Sequence, residues 1–158
     1  MSDLEELLDA LDAIHARRDH SYAVVAIEGR KGLYAEFWAE GASGLVVDLV
    51  GDEDLAPKDQ LTPTQRGALR ALGWDDATGM WRREWPDTPG RVDRQRVAHE
   101  TLRALSEVYG ATGAVRVEEV GLSDGTPPPP PGRSGRRVVA VLAVVVLAVA
   151  LAVLVGAA

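Results

Sequence analysis

The chain has 158 residues, with 17 Lys and Arg against 24 Asp and Glu, a formal net charge of −7 and no cysteine. That length suits one modest domain with an appendage, and the missing cysteines exclude disulfides, thiolate metal sites and a cysteine nucleophile. The charge is uneven: residues 1–125 hold 14 basic side chains and all 24 acidic ones, and the last 33 residues hold three arginines. An acidic body repels phosphate backbones, which argues against a nucleic-acid partner and favours a basic or amphipathic polypeptide.

In chain order, residues 2–18 read as a helix. Ser2 and Glu5 have capping-box spacing, and Leu4, Leu7, Leu8, Leu11 and Ile14 form one apolar stripe, either for covering a sheet or for a dimer seam. Three strands are expected next. The first, 22–28, is apolar on both faces, as a central strand would be. Gly29-Arg30-Lys31-Gly32 is a hairpin turn with a basic tip. In the second strand, 33–40, Leu33, Ala35, Phe37 and Ala39 point inward and Tyr34, Glu36, Trp38 and Glu40 outward. The third spans 45–50, with Asp48 its one charge, and two hairpins in succession make an antiparallel meander.

The stretch 61–85 is the most informative. Thr62 and Gln65 form a capping box, Pro63 fits the first helical position, and Leu69 and Leu72 supply a buried side. Gly73 stands where a left-handed C-cap is wanted, and Trp74 follows as an apolar residue that folds back on the helix end. Asp75 to Gly79 reads as a polar turn. Met80 to Trp85 then alternates, with Trp81, Arg83 and Trp85 on one face. After the Pro86–Gly90 loop, a second long helix spans 91–109, ended by Gly110, and 115–120 is a short final strand.

Residues 123–135 include five consecutive prolines, 127–131, and read as a linker, stiff in its proline run. Val138 to Ala158 contains only Val, Ala, Leu and one Gly. As a helix rising about 1.5 Å per residue it would span roughly 31 Å, close to a bilayer's hydrocarbon core. The expected anchor runs through Val138, Leu142, Leu147, Leu151 and Leu154. Arg133, Arg136 and Arg137 precede it and, by the positive-inside rule, hold the preceding domain in the cytoplasm. Met1 leads straight into acidic residues, which speaks against a signal peptide. A buried apolar helix or a disordered hydrophobic tail is the alternative reading.

Several segments carry a resemblance: Gly32-Leu33-Tyr34-Ala35-Glu36, the run Leu61-Thr62 through Leu69-Arg70-Ala71-Leu72-Gly73-Trp74, Trp81-Arg82-Arg83-Glu84, and the helix end Thr101-Leu102-Arg103 with Val108-Tyr109-Gly110. Over roughly residues 1–115 the chain resembles an actinobacterial family of YbjN-like domains related to class I type III secretion chaperones, called TY-Chap domains. The resemblance implies a compact α+β domain with an antiparallel sheet backed by helices. It also implies peptide or protein binding, often as a homodimer, without enzymatic chemistry. The apolar tail departs from the family's usual soluble or fused members.

Nothing in the residues argues for catalysis or a cofactor. His15, His20 and His99 are scattered, and Asp52-Glu53-Asp54 lacks calcium-loop spacing. Glu36 and Glu40, two carboxylates on one strand face, read as ordinary charges of an outward face rather than a glycosidase pair. For partner binding the candidates are Tyr34, Trp38, Trp81, Arg83 and Trp85, since aromatics with arginine are the usual centre of an interface. Trp74, and in competition with binding Trp81 and Trp85, also read as core; Trp38, between Glu36 and Glu40, is the best exposed contact.

The expected organisation is an α+β chaperone-like domain over 1–122, built on a meander plus one or two further strands, a linker over 123–137, and one transmembrane helix over 138–158. The function it suggests is a membrane-tethered, cytoplasm-facing peptide- or protein-binding domain at a bacterial inner membrane, homodimeric and without cofactor. The competing reading is a structural or regulatory membrane subunit that acts through dimerisation.

Overall fold

A computed structural model of the chain describes residues 3–17, 20–41 and 44–122. The Ser2 cap, the linker over 123–137 with Arg133, Arg136 and Arg137, and the apolar segment over 138–158 with Val138, Leu142, Leu147, Leu151 and Leu154 lie outside the described residues. Among the described residues no helix is long and apolar enough to cross a membrane.

The order of elements is α1 (Asp3–Arg17), β1 (Tyr22–Ile27), β2 (Tyr34–Glu40), β3 (Gly44–Leu49), α2 (Pro63–Ala71), β4 (Asp75–Ala77), β5 (Met80–Trp85), α3 (Arg91–Glu107) and β6 (Val115–Gly121). The strands form one sheet in the order β4-β5-β3-β2-β1-β6, and every neighbouring pair is antiparallel. The meander is its centre. The chain adds β4 and β5 beyond β3, crosses back through α3 and closes with β6 beside β1.

The helices supply one apolar layer. Leu7, Leu11 and Ile14 of α1 are fully buried, in one cluster with Val25, Phe37, Val47, Leu69, Trp74 and Leu105. The α1 stripe therefore packs inside its own chain, against β1, β2, β6 and α3, and is not free to form a dimer seam. Its polar flank also holds α3. Asp12 accepts hydrogen bonds from both Arg91 and Arg94, the latter at 2.6 Å, and Asp9 lies 3.2 Å from Arg91.

The capped helix forms as its residues dictate. Thr62 Oγ1 accepts from the Gln65 amide at 3.3 Å, and Gln65 Oε1 accepts from the Thr62 amide at 2.9 Å, so two of the otherwise unpaired first-turn donors are satisfied. At the other end Gly73 adopts φ +85°, its amide donates to Arg70 O, and the Trp74 amide donates to Leu69 O, both at 3.0 Å. This is the Schellman pattern, and it delivers Trp74 into the core with none of its surface exposed. Gln65 also donates from Nε2 to Val108 O at 2.7 Å, and the Tyr109 hydroxyl donates to Val50 O at 2.7 Å, tying the end of α3 to α2 and β3. Arg30, from the basic hairpin tip, donates to Tyr109 O and Gly110 O at 3.2 Å each.

Asp75 to Gly79, expected as a turn, instead begins with a strand. Asp75, Asp76 and Ala77 pair with Arg82, Trp81 and Met80, and the connection is Thr78-Gly79, with φ +51° and +87°. Two successive positive φ values define the tight hairpin turn whose twist matches that of the flanking strands. Adjacent Asp residues are poor strand formers, so the pairing is imposed by the turn and by β5.

Candidate functional site

The strand register decides which side chains face the helices. Across the sheet, Ala23, Phe37 and Val47 align, as do Val25, Ala35 and Leu49, and this is the face that the helices cover. Trp81 stands opposite Leu49, Arg83 opposite Val47 and Trp85 opposite Leu45, so all three belong to that covered face. Trp81 is 3% exposed, with the Arg70 guanidinium 5.3 Å from its ring centroid. Trp85 packs edge-on against Trp74 at 5.8 Å. Arg83 lies 4.5 Å above Trp85, donates to Leu72 O at 2.8 Å and pairs with Glu100 at 2.5 Å. Of the five residues singled out for binding, these three are thus placed in or against the core, and they join β5 to the end of α2 and the middle of α3.

Tyr34 and Trp38 stand on the opposite face; Tyr34 packs against the margin of the core cluster, and Tyr22, Trp38 and Val46 lie outside it. There the register produces rows. One row, from β6 to β5, is Gly121, Tyr22, Trp38, Val46 and Glu84; the next is Glu119, Val24, Glu36, Asp48 and Arg82. Successive rows on one face are about 7 Å apart, two residues along each strand. The Tyr22 and Trp38 rings pack at 5.1 Å with a 35° tilt. Gly121 is opposite Tyr22, and a Cβ there would run into the tyrosine ring; the glycine gives the ring its seat over the edge strand. The Tyr22 hydroxyl donates to Glu119 Oε1 at 2.5 Å, and burial, reinforced by that bond, pushes the Tyr22 pKa up to about 12. Tyr34 donates to Asp54 at 3.2 Å, and burial, then the charge of Asp54, raises its hydroxyl pKa strongly.

The carboxylates of this face are treated unequally. Asp48 is buried, and Arg82 grips it with two hydrogen bonds of 2.7 Å. Glu36, its neighbour across the strands, makes no salt bridge among the described residues. Burial raises its pKa, the Asp48 charge adds to the rise, and a hydrogen bond from Trp38 partly offsets it. At the Glu84 end of the aromatic row, a hollow of 270 Å³ at the ends of β2, β3 and β5 is lined by Glu40, Gly44, Val46, Glu84, Trp85 and Pro86, from both faces of the sheet. Gly44 contributes no side chain where its neighbours do, and a Cβ there would sit 2.9 Å from Glu40 O.

The face is therefore an aromatic and aliphatic row, Tyr22-Trp38-Val46, between carboxylates on both sides. Tyr22, Glu36, Val46, Glu84 and Glu119 were not among the residues expected to bind. Each is unremarkable within its own strand, and cross-strand register is the signal that collects them. Among the described residues no group of three or more His, Asp or Glu side chains is arranged to hold a metal ion. The arrangement can take up apolar surface and positive charge together.

No curated protein and no solved structure matches the chain. A family model does: the TY-Chap3 model, described as "T3SS (YopN, CesT) and YbjN peptide-binding chaperone 3", matches residues 2–121. With that match spanning the whole described fold, the chain belongs to this family of peptide-binding chaperone domains.

Proposed function

We propose that this chain holds a peptide or protein partner on the uncovered face of its sheet, without catalytic chemistry, while its apolar C-terminal segment tethers it to the cytoplasmic side of a bacterial inner membrane. The observation that carries the binding surface is the Tyr22–Trp38 pair: two half-buried rings packed on each other on a face outside the core cluster, next to Val46, which is only 6% exposed, in a family of peptide-binding domains. Aromatic side chains that are already packed lose little conformational freedom on binding, which suits them to anchor a partner. The tether rests on residues 138–158 and the three arginines before them. Homodimerisation belongs to the same proposal, carried over from the resemblance.

The binding surface is tested by screening full-length protein, beside the Trp38→Ala and Val92→Ala variants, against an array of peptides. Val92 is 76% exposed on α3 and serves as the control. Binding that Trp38→Ala abolishes and Val92→Ala leaves intact supports the surface; equal binding by all three removes it. Membrane fractionation of the full-length chain beside one ending at Gly125, followed by sizing of the shorter form, tests the tether and the dimer. A full-length chain released by alkaline washing would refute the tether, and a monomeric shorter form the dimer.

A further inference from the structure

We propose that the occupant of the uncovered sheet face is a basic amphipathic helix, its apolar stripe seated on Tyr22 and Trp38 and its Arg or Lys side chains reaching carboxylates on both sides. This rests on the reading above that the face takes a peptide, and it assigns the peptide's chemistry.

The first argument is charge. Glu36, Glu40 and Glu84 make no salt bridge among the described residues, while the cation in their midst, Arg82, is engaged twice by Asp48. The face thus presents carboxylates whose local countercharge is already committed. An acidic ligand would meet repulsion from both sides of the aromatic row, and a neutral one would desolvate these groups without compensation.

The second argument is shape. The apolar row is bounded by Glu119 and Glu36 on one side and by Glu40 on the other, and Glu84 closes it at the end beyond Val46. Rows about 7 Å apart place the two acidic borders roughly 14 Å from each other, enough to admit the 10–12 Å width of a helix with its side chains. A helix with Leu at i, i+3, i+4 and i+7 carries the residues beside that stripe on both flanks at once. An extended strand directs alternate side chains away from the surface, and so offers one kind of side chain to the face.

The third argument is the hollow of 270 Å³ between Glu40 and Glu84. Its lining sets Val46, Trp85 and Pro86 beside the two carboxylates, so an Arg or Lys stem can lie on apolar surface while its charge meets Glu40 and Glu84. A cation arriving near Glu36 would also favour its charged form, opposing the burial that raises its pKa.

The test uses full-length protein in non-ionic detergent and three labelled 18-residue peptides: a helix with a leucine stripe flanked by arginines, the same peptide with glutamate for every arginine, and a scramble of the first. The expected result is saturable binding of the arginine peptide, weakening with added salt, and on the order of tenfold or more weaker binding of the other two. The Glu40→Gln/Glu84→Gln double variant, whose changes are on exposed side chains, is expected to weaken the arginine peptide several-fold; Asp93→Asn, on α3, leaves it unchanged. Equal binding of the glutamate peptide overturns the cationic occupant while the peptide-binding reading survives, and equal binding of the scramble overturns the helix. Failure of every peptide, in this set and in the array, takes the reading down with the proposal. Binding that appears only after Arg133, Arg136 and Arg137 are changed to Ser would make this chain's own basic segment the occupant and overturn a separate partner. Binding that falls as the protein self-associates through Trp38 would do the same in favour of a second copy.

Discussion

Two tryptophans that alternate within their strands in the same way should behave in opposite ways when truncated. Trp81 is 3% exposed on the covered face, beside Leu49 and under Arg70. Removing a core Trp side chain costs about 3–5 kcal/mol through lost transfer energy and the cavity left behind. Trp38 is only partly buried, and its main partner is one ring, that of Tyr22, at 5.1 Å. An aromatic pair contributes about 0.5–1.5 kcal/mol beyond area burial, so Trp38→Ala should cost about 1–2 kcal/mol in all. With a urea m-value of about 2 kcal/mol per molar, Trp81→Ala lowers the unfolding midpoint by roughly 2 M and Trp38→Ala by less than about 1 M. The assay is urea unfolding of the full-length chain in detergent, followed by far-UV circular dichroism so that loss of an indole does not remove the signal. Equal losses for the two variants would mean that Trp38 is structural, and the reasoning that assigns its face to a partner would fail.

Two further outcomes follow from single side chains. Gly51→Ala places a methyl against the Gly79 carbonyl at the β4–β5 turn. Because the obstacle is backbone, the loss should reach about 3 kcal/mol or more in the same unfolding assay; a change under about 0.5 kcal/mol would refute that close approach. Glu36 has a folded-state pKa above its usual 4.5, from burial and from the charges of Asp48, Asp54 and Glu119 against the Trp38 hydrogen bond. The folded state therefore holds the proton more tightly, and stability falls as pH rises through the usual value and then the raised one. Glu36→Gln should match wild type below about pH 4 and exceed it at about pH 7.5 in urea midpoint; lower stability at the higher pH would contradict the assignment.

How much of this was legible in the sequence depends on the range of the interaction. The Thr62–Gln65 box, the Gly73 cap and the Trp74 fold-back involve residues a few positions apart, and the chain's own spacing carries them. The inward face of β2 was legible too, because Leu33, Ala35, Phe37 and Ala39 alternate against Tyr34, Glu36, Trp38 and Glu40. In β5 the alternation was equally regular but ambiguous: each face carries one arginine, Arg82 or Arg83. What decides is that Trp81 and Trp85 stand opposite Leu49 and Leu45, 32 and 40 residues earlier in the chain, a fact of register. β4 was hidden because Asp75 and Asp76 carry no strand signal of their own.

The site was the least legible part. Tyr22 belongs to a strand apolar on both faces, so nothing marked its ring as outward. Its partner Glu119 is 97 residues away, on a strand whose own alternation is brief. Glu36 and Glu40 were visible as an outward carboxylate pair. Their meaning changes only when β3 and β5 bring Asp48, Arg82 and Glu84 beside them.

The central claim is that the uncovered sheet face, and no helix surface, receives the partner. The most direct measurement is carbene footprinting of the full-length chain, alone and saturated with the arginine-flanked leucine peptide, read residue by residue by mass spectrometry. The account predicts that labelling falls at Tyr22, Tyr34, Trp38 and Glu84 and stays constant at Val92 and along α3. Protection concentrated on α1 or α3, with the Tyr22–Trp38 pair labelled as before, would contradict it.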